Sequence, residues 1–156
     1  MDLKSKIILI SGPTASGKSK FAIQLAKKIN GEIINADSMQ IFKELKILTA
    51  RPKPNDIKIV RHHLYGFKSA KDNYSTGNWL NDAKLKIKNI KKKNKIPIVV
   101  GGTGLYFKSL VDGIVKIPKI PVNVRNRIRK KQMKIGQSKF YSELIKLDPL
   151  CKKKNK

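Results

Sequence analysis

The run Gly12-Pro13-Thr14-Ala15-Ser16-Gly17-Lys18-Ser19 has the residue types and spacing of a phosphate-binding loop, GxxxxGK[ST]. Gly12 and Gly17 let the backbone turn tightly and approach phosphate oxygens closely. Successive N–H groups of such a loop point inward as an anion nest. The N-terminus of a following helix adds partial positive charge. Lys18 supplies a full charge to the terminal phosphates. The Ser19 hydroxyl suits a bound magnesium ion, which keeps most of its waters and takes few protein ligands. The ligand expected here carries a di- or triphosphate, and the loop alone does not say what becomes of it.

Three strand ends can bring chemistry to that ligand. The apolar run Ile7 to Ile10 predicts a strand over Lys6 to Ser11 leading into the loop, and the spacing of Phe21, Ala22, Leu25, Ala26 and Ile29 predicts a helix from Lys18 that Gly31 closes. A second strand is predicted at Glu32-Ile33-Ile34-Asn35, ending at Asp37-Ser38-Met39-Gln40. A third is predicted at Ile96 to Val100, apolar enough to be a buried parallel strand, and runs into Gly101-Gly102-Thr103-Gly104 and a short helix through Leu110. Between them, Phe42 to Lys71 shows no sustained period, and a helix over Thr76 to Lys93 presents Trp79, Ala83, Ile87 and Ile90 on one face. Helices are also predicted near Val122 to Met133 and Ser138 to Leu147. The β–α–β–α–β order predicts an α/β fold with a parallel sheet, helices on both faces, and ligands at the carboxyl ends of the strands.

Asp37 is the only carboxylate at these strand ends. It is a general base beside the phosphates, an outer-shell magnesium partner, or a helix N-cap. The strand ending at Val100 is followed by Gly101-Gly102, where nucleotide hydrolases often carry an acidic residue for magnesium and water activation, which argues against hydrolysis. Thr103 offers a hydroxyl there, as a contact to phosphate or acceptor or as an N-cap. His62 and His63 point to opposite sides of an extended segment and lack an evident third ligand, so a hydrogen-bonded structural role is favoured over zinc.

Lys and Arg number 36 against 10 Asp and Glu, a formal net charge of +26. Such a chain binds polyanions with strong salt dependence. A lysine-, isoleucine- and asparagine-rich composition also fits an A/T-rich coding bias. Arginine is confined to Arg51, Arg61, Arg125, Arg127 and Arg129, and as arginine is the usual bidentate phosphate reader these positions matter most. Cys151 is the single cysteine, which excludes an intrachain disulfide and leads to the expectation of a reducing cytoplasm. The apolar run before the loop is too short for a signal peptide, and no stretch approaches a membrane span.

Four blocks in order resemble the tRNA dimethylallyltransferases (tRNA isopentenyltransferases). They are Gly12 to Ser19, Asp37-Ser38-Met39-Gln40-Ile41-Phe42, Thr49-Ala50-Arg51-Pro52, and Gly101-Gly102-Thr103-Gly104-Leu105-Tyr106-Phe107-Lys108. His62-His63-Leu64 and Tyr74-Ser75 look like the family's too, so the resemblance runs from about Lys6 to Pro149. It implies a P-loop NTPase-like three-layer α/β/α core over 1–117 and the start of a helical tRNA-binding region over 118–156. It implies transfer of the dimethylallyl group of dimethylallyl diphosphate to N6 of the adenosine 3′ to the tRNA anticodon, by a monomer using Mg2+. Gly12, Pro13, Thr14, Ala15, Ser16, Gly17, Lys18 and Ser19 would hold the diphosphate, with Ser19 on the metal. Asp37 would take the amine proton. Asp37, Ser38, Met39, Gln40, Thr103 and Arg125 would contact tRNA, with Thr103 also counted as catalytic.

Family members are about twice this length and continue beyond Asp148-Pro149 with further strands and helices. This sequence therefore resembles an N-terminal half, and its sheet is expected to have an open edge. Two other readings stay open on the residues. A phosphoryl transferase acting on a small molecule would use Asp37 on a hydroxyl and transfer label from ATP. A non-catalytic basic RNA-binding remnant would bind RNA in a salt-sensitive way indifferent to Lys18→Ala.

Overall fold

The computed structural model describes residues 6–154 other than 116, 117 and 119. The chain divides into two compact units, Met1–Ile114 and Val115–Lys156. The first is an α/β unit. Its strands are β1 (Ile8–Ser11), β2 (Gly31–Asn35), β3 (His62–His63) and β4 (Ile96–Gly101), and its helices are α1 (Lys18–Ile29), α2 (Pro54–Ile59), α3 (Thr76–Lys92) and α4 (Gly104–Asp112). All pairings are parallel, in the order β1-β4-β2-β3. Leu9 lies opposite Val99, and Ile33 opposite both Ile98 and His62.

The continuous burial of β2 and β4 follows from helices on both faces of a parallel sheet. On one face α1 lays Ala22 and Ala26 against Ile33, Ile98 and Val100. On the other, α3 and α4 cover Ile34 and Val99 with Trp79, Ala83, Ile87, Ile90 and Tyr106. The Trp79 and Tyr106 rings stack with centroids 4.3 Å apart, and the Trp79 indole N–H donates to the Asn35 carbonyl at 2.8 Å. A buried indole nitrogen needs such a partner.

Three sequence expectations need correction. Phe21 does not share the buried face of α1: the seam centres on Ala22 and Ala26, and Phe21, one residue round the helix, is 57% exposed. Gly31 does not end the helix. Asn30 does, at φ 54°, with its N–H on the Ala26 carbonyl, and Gly31 already opens β2. The segment from Phe42 to Lys71 is not wholly irregular. It holds α2, whose first turn is tied by the Lys53 N–H to the Asp56 carboxylate at 3.0 Å, and the edge strand β3. Six helical and two extended residues are too few to show a period.

His62 and His63 have the structural role expected of them. The His62 Nδ1–H donates to the Val60 carbonyl at 2.7 Å, and His63 Nε2–H to the Glu32 carboxylate at 2.7 Å. Glu32 is almost wholly buried and also takes the Lys95 ammonium at 3.0 Å. Burial pushes the His63 imidazole below its ordinary value, against the pull of Glu32. Burial alone would raise Glu32, but the bonds from His63 and Lys95 outweigh it and hold the carboxyl below its usual range. Both groups therefore bind fewer protons folded than unfolded, so stability is lost on acidification. The melting temperature is expected to fall as pH drops below the ordinary histidine value of 6.5 and again below the ordinary glutamate value of 4.5. Calorimetry of Glu32→Gln should show the second fall flattened. An unchanged pH profile would rule out this account.

The second unit, Val115–Lys156, contains α5 (Val122–Ile135), α6 (Gln137–Leu147) and a 3-10 turn over Pro149–Lys154. The two helices meet at Gly136, and Lys131 pairs with Glu143 between them. Neither helix buries a residue.

Candidate functional site

The phosphate loop leaves β1 at Ser11 and enters α1 at Lys18. Ala15 at φ 64° and Gly17 at φ 79° take left-handed conformations, the alternation that turns successive N–H groups inward. Gly17 pays no Cβ penalty for this and caps α1 without a side chain, and no acidic residue lies in the first turn. The helix N-terminus thus stays open to an anion. Lys18 Nζ lies 2.8 Å from the Pro13 carbonyl, so the ammonium is folded over the loop.

Asp37 is set by Asn35. The buried Asn35 amide donates to the Asp37 carbonyl at 2.9 Å and to the Leu64 carbonyl at 3.0 Å, while its Oδ1 accepts from the Asp37 N–H at 2.9 Å. Asp37 Oδ1 accepts from the Met39 N–H at 2.9 Å. No helix begins there, so the N-cap alternative gives way to an Asx-type turn in which one carboxylate oxygen orients the group. Thr103 occupies the N-cap position of α4 but does not cap it. Its Oγ1 instead accepts from the Ser38 N–H at 3.0 Å and donates to Ser38 Oγ at 3.3 Å.

The ends of β2 and β4 are joined through Ala36, whose carbonyl accepts from the Thr103 N–H at 3.1 Å. A Cβ on Gly101 would stand 2.1 Å from the Ala36 carbonyl carbon and oxygen. Gly101→Ala must therefore drive these two strand ends apart. A loss of about 1–3 kcal/mol is expected, as for overpacking in general, and a thermal melt that matches the unchanged protein would refute it.

Lys18, Ser19, Asp37, Met39 and Gln40 line one cleft of about 380 Å³, with Thr14, Ala15 and Tyr65. The cleft thus gathers half of the phosphate loop with Asp37, Met39 and Gln40, whereas Gly12, Pro13, Ser16, Gly17, Ser38 and Thr103 are not in its lining. Gln40 is partly engaged, since its Nε2 donates to the Thr49 carbonyl at 2.7 Å. Arg51 turns inward, with Nη2 donating to the Lys43 carbonyl at 3.1 Å. Arg125 lies on α5 of the other unit, exposed. Sequence reasoning missed Asn35 and Tyr65. Asn35 carried a faint signal as a polar residue closing an apolar strand. Tyr65 carried none; burial, then the Asp37 charge, raises its phenol above the ordinary range, so it faces the cleft neutral. The donors here fit magnesium: Ser19 and Asp37 offer hard oxygens. Among the described residues no three His, Cys, Asp or Glu side chains form a metal-holding group.

The IPP transferase family model matches residues 40–156. The tRNA dimethylallyltransferase of Pelagibacter ubique is 63% identical over 99% of this chain and 49% of its own length. That of Rhizobium rhizogenes is 46% identical over 91% of this chain and 48% of its own. Among solved structures, the full-length tRNA isopentenylpyrophosphate transferase from Bacillus halodurans superposes with a TM-score of 0.70 at 32% identity, covering 92% of this chain and 48% of that one. A eukaryotic dimethylallyltransferase acting on tRNA gives 0.78 at 32% identity, covering 92% and 36%. The chain thus spans about half the length of the curated relatives it matches. No helix among the described residues is long and apolar enough to cross a membrane. With its P-loop NTPase-like core and this match over most of its length, the chain belongs to the IPP transferase family.

Proposed function

We propose that the cleft carries the reacting groups of a prenyl transfer from dimethylallyl diphosphate to N6 of the adenosine 3′ to a tRNA anticodon. One observation carries the reading: Lys18 and Ser19 of the phosphate loop share one cleft with the Asp37 carboxylate. The loop N–H groups, the α1 N-terminus and Lys18 hold the diphosphate and stabilise its charge as it leaves. Ser19 would hold a magnesium ion, which, when bound, neutralises part of the diphosphate charge. The exocyclic nitrogen attacks the allylic carbon, the carbon–oxygen bond breaks with its electron pair going to diphosphate, and the amine proton passes to Asp37.

The target base must leave the anticodon stack to enter the cleft. Ser38, Met39 and Gln40 would line its pocket, Gln40 through Oε1 because its Nε2 is engaged. Thr103 holds the Ser38 turn. Arg125, on a basic helix without buried residues, would contact tRNA phosphates. Labelled dimethylallyl diphosphate, magnesium and tRNA are to be incubated with the chain, alone and fused to the part of the Pelagibacter ubique relative that it does not span. Label on the anticodon-adjacent adenosine is the expected result. Absence of label from both forms overturns the reading.

A further inference from the structure

The segment that leaves the cleft at Gln40 comes back to it at Ala50. Its outgoing limb is fixed by backbone bonds: the Gly66 N–H donates to the Gln40 carbonyl at 2.9 Å, and the Lys43 N–H to the Lys68 carbonyl at 2.8 Å. A tight turn follows, with the Thr49 N–H on the Leu45 carbonyl at 3.1 Å and the Ala50 N–H on the Ile47 carbonyl at 3.2 Å. Leu45, Leu48, Thr49 and Ala50 of this turn line the cleft together with Gln40. The Thr49 carbonyl accepts from Gln40 Nε2 at 2.7 Å. How Gln40 presents its amide therefore depends on where the turn sits.

Arg51 closes the turn. Its Nη2 donates to the Lys43 carbonyl at 3.1 Å, which ties the returning limb to the outgoing one. The guanidinium lies directly on Gly66, where a Cβ would stand 1.3 Å from Nη1 and 2.5 Å from Cζ. Gly66 also has φ 53°, so a side chain there would meet both the guanidinium and an unfavourable backbone. Arg51 Nε is buried and has no hydrogen-bond partner among the described residues. Leaving a buried N–H unpaired costs stability. That cost offsets the gain from the exposed bond to Lys43, so stability does not account for a guanidinium at this place. Its clear effect is to join Lys43, Gly66 and the turn that carries Thr49.

We infer that Arg51 is a positioning residue for the adenosine pocket. By clasping Lys43 over Gly66 it sets the Thr49 carbonyl, which engages the amide donor of Gln40 and leaves Oε1 to meet the base. An amide oxygen accepts and cannot donate. The pocket therefore favours a base with an exocyclic amine over one with an exocyclic oxygen. The adenine amine carries two hydrogens. Oε1 accepts from the one that stays on the product, and the other passes to Asp37. The inference rests on the proposed transfer to adenosine and adds the residue that sets the base selectivity.

The test is fluorescence anisotropy with two labelled anticodon stem-loop RNAs, alike except for adenosine or inosine 3′ to the anticodon. They are titrated with the full chain, alone and fused to the part of the Pelagibacter ubique relative that it does not span. The unchanged protein should bind the adenosine RNA about tenfold more tightly, the discrimination expected of one well-placed base contact. Arg51→Met should abolish that preference with the melting temperature unchanged. Arg51→Lys should restore most of it, because an ammonium can still donate to the Lys43 carbonyl. Gly66→Ala should reduce the preference in the unchanged background and have nothing left to reduce in Arg51→Met. A preference kept by Arg51→Met, an equal loss of affinity for both RNAs, an Arg51→Met chain that no longer folds, or an Arg51→Lys no better than Arg51→Met would each overturn the inference. No preference in the unchanged protein would overturn it together with the base-pocket reading. A preference that follows Arg51 without label transfer in either form would uphold it and remove only the transfer chemistry.

Discussion

Asp37→Asn is expected to lower prenyl transfer by about 10²–10⁴-fold, the range ordinarily contributed by a positioned general base. The amide keeps an oxygen for the Met39 N–H, so the turn that accepts this bond at 2.9 Å is retained. What is lost is the ability to take a proton from an exocyclic amine, a weak nucleophile that needs that help. The measurement is single-turnover label transfer in whichever form of the protein is active, the chain alone or its fusion, alongside tRNA binding and thermal melting. Rate should fall with binding and melting unchanged. A parallel loss of tRNA affinity would mean that Asp37 serves the base pocket, and an undiminished rate would remove it from the chemistry altogether.

Asn35→Ala is expected to be the most destabilising single change near the site. It strips partners from three backbone groups at once: the Asp37 N–H, the Asp37 carbonyl and the Leu64 carbonyl. The Leu64 bond is fully buried and the other two are partly so. At about 1–3 kcal/mol for each orphaned group, less where water reaches it, the loss comes to roughly 3–5 kcal/mol. For a chain of this size that lowers the melting temperature by roughly 10 °C. The Trp79 bond to the Asn35 carbonyl uses backbone and survives, so tryptophan fluorescence should stay native-like below the transition. Transfer activity should also fall, because Asp37 loses the side chain that orients its backbone. A melting temperature within a degree or two of the unchanged protein would show that water replaces the Asn35 amide at little cost.

The local signals in the sequence were strong wherever many residues carried one pattern. The phosphate loop, α1, α3 and β4 were legible because glycine spacing, helical periodicity and an unbroken apolar run each repeat a single physical requirement. Trp79, Ala83, Ile87 and Ile90 are buried as their spacing implies. Short elements were not legible. β3 has two residues, and α2 owes its first turn to one Asp56 carboxylate. Phe21 was misplaced because an apolar residue at the margin of a helical stripe has no sequence mark of which side of the seam it falls on.

By itself the sequence determined that a loop with the GxxxxGK[ST] pattern precedes a helix, that Asp37 is the one carboxylate among the strand ends, and that the chain resembles half of a longer family. These are properties of nearest neighbours and of order along the chain. Only the tertiary structure decided that β4 lies between β1 and β2, which puts Gly101 against the Ala36 carbonyl and Thr103 against Ser38 across 65 residues. It decided that Asn35 holds Asp37 while bonded to Leu64, 29 residues on. It also left β1 at the sheet edge with Ile7 and Leu9 uncovered. Such contacts join distant residues through parallel crossovers, whose register is set by burial on both faces of the sheet and not by any local pattern.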